Sequence, residues 1–300
     1  MTRPPSARPT EPGAASDWVF DALGTQWAIT VPEPLPASAV EAVEAELDRI
    51  DVTWSRFRDD SLVAHASREA GTYPLAASDQ PLIDWYRRLY DATGGAFSPF
   101  VGQTLADAGY GPGYSLNPAE SVTPVPAWDD VLTGYRGALE VVAPTMIDVG
   151  AAGKGFAVDR VARIVAEYTD TFIVDGSGDM VVSERTTPVR IALEHPADPM
   201  QAIGVVELAT GAICASAVTR RSWADWHHVV DPRTSRPTVD VVATWVVAAS
   251  TMIADGLATA LFFTPADELH DRLGIDFRFV TIFADGTADY SPWPGLELFS

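Results

Sequence analysis

Three hundred residues, 47% of them hydrophobic and 20% charged, suffice for a real core in one large domain or two intimate ones. A net charge of −21 argues against nucleic acid as a partner, since no basic stripe offsets repulsion from a phosphate backbone, and any anionic cofactor would need local cations or a metal. The single cysteine, Cys214, excludes an internal disulfide and is compatible with a reducing compartment.

Residues 1–16 are rich in Pro, Ser and Ala and lack the apolar run of a secretory signal, so they read as a disordered tail ahead of a domain over 17–300. No segment approaches the roughly 18 apolar residues of a membrane span. A cytoplasmic protein is the expectation. The run from Trp18 to Pro32 reads as two half-buried strands joined at Gly24-Thr25. Pro36 opens a helix whose buried side is Val40, Val43, Leu47 and Ile50. Beyond it Trp54 and Phe57 alternate with Arg56 and Arg58 and admit two readings: an aromatic pair of the core, or a flat wall for a ring ligand. Ser78, Asp79 and Pro81 start another helix, with Leu82, Trp85 and Leu89 inside, that runs to about Ala92. From Ala96 to Gly113 the density of Gly and Pro predicts a long surface or site-lining loop. Residues 111–144 continue irregularly apart from a short strand at Leu139 to Val142.

Thr145 to Asp179 is the most informative stretch. Met146 to Val149 predicts a buried strand end, Gly150, Gly153 and Gly155 a loop, and Phe156 onward a helix packed through Val158, Val161, Val165 and Tyr168. Such a loop would offer a phosphate the free N–H groups and partial positive charge of a helix N-terminus, with Lys154 alongside. It is not a Walker loop, whose spacing before Gly-Lys and following Ser or Thr are missing. Nor is it a dinucleotide fingerprint, because Met180 and Val181 continue Gly176-Ser177-Gly178 as a strand. The alternative is that the glycines only close turns.

Val189 to Leu193, Ile203 to Leu208 and Gly211 to Ala217 read as successive strands of an antiparallel sheet, and Trp226 to Pro232 as a strand entering a turn. His227 and His228 point to opposite faces there, so at most one serves a given site, and no third ligand at a recognisable spacing makes a zinc centre. Val241 to Ala249 predicts a buried strand, and Ser250 or Thr251 caps the helix after it. In that helix Asp255 and Thr259 project from one otherwise apolar face. If buried, they need a partner such as a hard cation taking oxygen ligands; otherwise Asp255 is a half-exposed acid and Thr259 bonds back to the helix.

Seven segments, LGT at Leu23, WSRFRDDS at Trp54, TGGAFSP at Thr93, IDVGAAGKGFAVDR at Ile147, VDGSGD at Val174, HVVDP at His228 and ADGLATAL at Ala254, stand in the order seen in the ApbE family. The chain after its tail thus resembles the FAD:protein FMN transferases. That resemblance implies an α+β fold related to the T-fold, with one compact catalytic domain of mixed or antiparallel sheets and flanking helices. It implies a Mg2+-dependent enzyme that binds FAD and joins the FMN half through a phosphoester to a Thr or Ser hydroxyl of an acceptor redox protein, releasing AMP. By position, Asp255, Thr259 and the carbonyl of Ala151 would hold the metal. Leu23, Phe57, Ala96, Phe97, Ser98, Asp148, Lys154 and the backbone near Val229 would line the FAD site. His228 would accept the hydroxyl proton, with Asp255 the alternative base. The chain departs from the family's pattern at Ser98, usually Asp, at Ser177 and Ser235, usually Gly, and at Cys214 to Arg221, which replaces a Thr-Ser-Gly loop. With water in place of the acceptor the same site would be an FAD pyrophosphatase, and without chemistry a flavin-binding protein.

Overall fold

In the computed structural model, which describes residues 16–299, the chain opens on the expected hairpin, β1 (Ser16–Ala22) and β2 (Thr25–Val31), turned by Leu23 and Gly24 at positive φ. The expected tail lies outside the described residues except for Ser16, which begins β1. Helix α1 (Ala37–Trp54) buries Ala39, Val43, Leu47, Ile50 and Trp54, the three- and four-residue spacing of one helical face. After α2 (Leu62–Ala66) and β3 (Gly71–Pro74), α3 (Gln80–Ala92) starts with Pro81 in its first turn, where a missing N–H does no harm.

The Gly- and Pro-rich stretch expected as a loop instead contains a 3-10 turn at Pro99–Val101 and helix α4 (Gly102–Asp107). Ser98 caps that turn by accepting from the Phe100 N–H (3.2 Å), and Gly102 sits where a Cβ would lie 2.5 Å from the Met146 carbonyl. Helix α5 (Trp128–Val131) and strands β4 (Leu132–Gly134) and β5 (Ala138–Val141) follow, so 111–144 holds more structure than its composition suggests. Strand β5 pairs with β3 and β4 in a small sheet.

Met146 to Val149 is not a strand; it runs between elements, with the Asp148 N–H donating to Pro99 O at 2.7 Å. Helix α6 (Gly153–Val165) starts three residues earlier than expected and stops before Tyr168, which is exposed, while Val158, Val161 and Val165 are fully buried. Strands β6 (Ile173–Asp175), β7 (Met180–Val182), β8 (Val189–His195), β9 (Asp198–Leu208) and β10 (Gly211–Ala217) come next. Four two-residue strands form two minimal hairpins: β11 (Ser222–Trp223) with β12 (Trp226–His227), and β13 (Val230–Asp231) with β14 (Arg236–Pro237). The chain closes with β15 (Val241–Ala248), α7 (Thr251–Ala260), α8 (Ala266–Leu273), β16 (Arg278–Phe283), β17 (Ala288–Tyr290) and β18 (Leu296–Leu298).

Eight strands form the main sheet in the order β1-β2-β6-β7-β10-β15-β16-β17, and every pairing among the described residues is antiparallel. The three strands expected in succession therefore divide: β10 enters the main sheet, whereas β8 and β9 join β18 in a separate one. Side-chain alternation explains the split. Ala212 and Cys214 of β10 face the core shared with α1, α3, α6 and α7, while Ile213 faces the core under β8 and β9, so β10 is covered on both sides and must be internal. Among the described residues no helix is long and apolar enough to cross a membrane.

Candidate functional site

Helices α6 and α7 meet so closely that a Cβ on Gly155 would lie 2.3 Å from the Thr251 carbonyl oxygen and 2.7 Å from Asp255 Cβ. Asp159, one turn further along α6, accepts from the backbone N–H groups of Thr251 (2.9 Å) and Met252 (3.0 Å) and from the Thr251 hydroxyl, while Ser250 Oγ accepts from the Ile253 N–H. The first turn of α7 thus has its free donors satisfied by α6 and by its own cap. The glycines expected to admit a ligand admit protein: Gly155 admits α7, and a Cβ on Gly153 would press on Val149.

This contact seats Asp255. Its Oδ2 accepts from the Gly155 N–H at 2.9 Å, so the anion at the N-terminus of α6 is the chain's own carboxylate rather than a phosphate. The N–H of Gly153 is also taken, by Val149 O at 2.7 Å. Burial, with the Asp179 carboxylate next in importance, pushes the Asp255 carboxyl well above its ordinary range. Thr259, one turn along, has its Oγ1 3.4 Å from Ser216 Oγ of β10. The Ala151 N–H donates to the Tyr86 hydroxyl (3.2 Å), and its carbonyl accepts no backbone N–H from the described residues.

Lys154 does not stand free at a helix end. Its Nζ lies 2.8 Å from Asp179 Oδ2 and donates to Ser177 O at 3.3 Å. Asp179 is fully buried and neither oxygen has a well-aligned hydrogen bond, so the ammonium is its compensation. Burial disfavours the Lys154 ammonium, but the carboxylates of Asp179 and Asp255 outweigh it and hold its pKa above the usual lysine range. Ser177 accepts its glycine-like turn at φ +62, and Ser235 does the same at φ +54 with its Oγ bonded to the Val125 N–H (3.0 Å).

Two cavities flank these groups. The first, of about 180 Å³, is lined by Ala151, Asp255, Thr259 and His228 together with Ala96, Phe97, Ser98 and Val229. The second, of about 400 Å³, is lined by Leu23 and Phe57. Asp148 and Lys154 line both, so every residue expected in the site from the sequence borders one or the other of two adjoining cavities. Several border it with their backbones spoken for. Val229 donates to His227 Nδ1 and accepts from the Thr238 N–H, and the Phe97 ring is buried against Tyr86. The aromatic pair splits between its two readings: Trp54 is core, whereas Phe57 is 39% exposed and stacks on Tyr114 with ring centres 5.5 Å apart.

His228 sits in the wall of the first cavity with its Nδ1 3.4 Å from Arg221 O, while His227 points away to Thr238 O. Burial, with the Arg221 charge adding to it, pushes the His228 imidazole down to about 4, so it is neutral at physiological pH. Among the cleft residues not expected from the sequence are Arg56, Tyr110, Tyr114 and Arg221. Arg56 is buried, donates to Asp148 Oδ2 (2.5 Å) and Tyr110 O (2.8 Å), and keeps Nη1 without a partner. The available signals were an arginine between Trp54 and Phe57 and tyrosines spaced among glycines after Ala108.

Asp255, Thr259 and Ala151 line one cavity and carry hard oxygen donors, with a buried carboxylate crowded by a second one. Among the described residues no three His, Cys, Asp or Glu side chains are arranged to hold a metal ion by themselves. One carboxylate, a hydroxyl and a carbonyl fit Mg2+, which binds few protein oxygens and completes its shell with water or phosphate.

A family model described as the ApbE family matches residues 23–275. Named FAD:protein FMN transferases are similar to this chain: that of Klebsiella pneumoniae is 26% identical over 80% of this chain and 75% of its own length. That of Treponema pallidum is 26% identical over 86% and 82%. The crystal structure of the ApbE protein from Thermotoga maritima superposes with a TM-score of 0.81 at 22% identity, covering 93% of this chain and 97% of that one. The flavin transferase ApbE from Vibrio cholerae gives 0.77 at 21% identity, covering 95% and 98%.

Proposed function

Since the chain belongs to the ApbE family, we propose that it is a flavin transferase that uses Mg2+ to move the FMN half of FAD onto a Thr or Ser hydroxyl of an acceptor redox protein, with AMP as the leaving product. The observation that carries this reading is the convergence of Asp255, Thr259, Ala151 and His228 on one cavity, which shares Asp148 and Lys154 with a second cavity bordered by the half-exposed Phe57. Phe57 and Leu23 would take the flavin or adenine ring, since aromatic stacking is worth about 1 kcal/mol beyond area burial. Asp255, Thr259 and the Ala151 carbonyl would hold Mg2+. Bound there, the ion would neutralise the charge that builds on the phosphoryl oxygens. His228, neutral at pH 7, would take the proton of the attacking hydroxyl. Asp255 is the weaker base candidate, because one oxygen is held by Gly155 and the other is needed for the metal. Lys154 would orient the diphosphate with the donor that Asp179 and Ser177 leave free.

The test is incubation with FAD, MgCl2 and a threonine-bearing acceptor, following AMP, free FMN and acceptor mass. The wild type should release AMP and add FMN to the acceptor, and Asp255→Ala should do neither while keeping its circular dichroism spectrum. Undiminished transfer by Asp255→Ala would sink the metal assignment. AMP and FMN without acceptor gain would favour the pyrophosphatase.

A further inference from the structure

The two cavities share Thr25, Tyr110, Asp148, Gly150, Lys154 and Arg221 in their linings, and a substrate that reaches into both must pass the junction these residues form. Its two cations differ. Lys154 is paired with Asp179, whereas Arg221 is exposed and has no carboxylate within ion-pair distance among the described residues, in a chain with 41 acidic against 20 basic side chains. A guanidinium left unpaired where acids outnumber bases two to one is available for an anion from outside.

Its surroundings aim it. The guanidinium carbon lies 5.8 Å from the centre of the Tyr110 ring, which is itself stacked on Trp223 with centres 5.6 Å apart. A planar cation held against a ring keeps its N–H edge free. The Arg221 carbonyl accepts from the His228 N–H at 3.3 Å and lies 3.4 Å from His228 Nδ1, so the residue that carries the guanidinium is tied to the base.

We propose that Arg221 is a catalytic residue whose guanidinium binds the phosphoryl group under attack, at the junction of the two cavities. The inference rests on the flavin-transferase reading. In the step, the acceptor hydroxyl oxygen forms a bond to the phosphorus of the FMN half, and the bond from that phosphorus to the AMP oxygen breaks. AMP leaves with the electron pair, and the hydroxyl proton passes to neutral His228; nothing is oxidised or reduced. Charge gathers on the phosphoryl and leaving oxygens, where a forked donor stabilises the transition state more than bound FAD.

Kinetics of AMP release and FAD dissociation constants from flavin fluorescence test this with Arg221→Ala and Arg221→Lys. Arg221→Ala should lower kcat by about 10²- to 10³-fold, the loss typical of one transition-state donor, with FAD affinity changed less than about fivefold and an unaltered melting temperature. Added guanidinium chloride should restore part of that kcat, which a merely structural arginine would not allow. Arg221→Lys, which keeps the charge and loses the fork, should fall between the two. A kcat within about threefold of wild type, or a loss confined to FAD binding, overturns the proposal. So does a kcat deficit that follows a lowered melting temperature and resists guanidinium. If the wild type itself transfers no FMN to any acceptor hydroxyl, the transferase reading falls and this inference with it. If the wild type transfers and Arg221→Ala transfers equally well, only the inference falls.

Discussion

Replacing Lys154 by Met strands a carboxylate. Asp179 is 0% exposed, both its oxygens lack hydrogen bonds, and the Lys154 Nζ at 2.8 Å is the charge that balances it. A lysine at an open phosphate cradle would lose turnover and leave stability alone; this one should lose both. Removing one partner of a buried ion pair costs about 3–5 kcal/mol, and because Lys154 borders the cleft, where water can enter, the lower end of about 3 kcal/mol applies. Asp179→Asn should be milder, about 1 kcal/mol, since the ammonium left behind can turn to the water of the cleft. The double variant removes both charges and should be more stable than Lys154→Met alone, giving a coupling of about 2 kcal/mol. Urea unfolding of the wild type, both single variants and the double variant measures it. Additivity within about 0.5 kcal/mol would show that the two side chains do not depend on each other, and the account of the buried pair would fail.

Gly155→Ala should cost about 1–3 kcal/mol by overpacking and lower AMP release as well, because the new methyl meets backbone at 2.3 Å and pushes α7, with Asp255 on it, off α6. Unchanged stability and rate would mean the helices have slack there. For His228, the folded value of about 4 lies below the ordinary 6.5, so between these pH values the unfolded chain binds a proton that the folded one does not. Stability should therefore fall as pH drops from 6.5 toward 4, and His228→Gln should flatten that slope. The acid limb of kcat/KM should likewise appear near 4 rather than near 6.5; a limb at the ordinary imidazole value would remove His228 as the buried base.

Local physics was legible in the chain. The hairpin around Gly24, the burial of Val43, Leu47 and Ile50, the Pro81 helix start, the Ser250 cap and the shared face of Asp255 and Thr259 each depend on neighbours within a few residues. Periodicity and capping encode such neighbours directly. The order of seven motifs went further and pointed to the family. Elements of four to six residues such as α4, α5 and β3 escaped, since so few side chains define no period against the surrounding glycines and prolines. What only the tertiary structure decided is which groups meet across sequence distance. Gly155 and Asp255 are 100 residues apart, Arg56 and Asp148 are 92 apart, and Asp179 reaches Lys154 across the rest of α6, β6 and the turn after it. A glycine cluster beside a lysine reads identically whether it faces a phosphate or a second helix. The difference lies in the packing of α6 against α7, which turns a helix N-terminus inward onto a carboxylate. Arg221, at the end of a four-residue 3-10 turn too short to show a period, is likewise placed beside both cavities only by the folded chain.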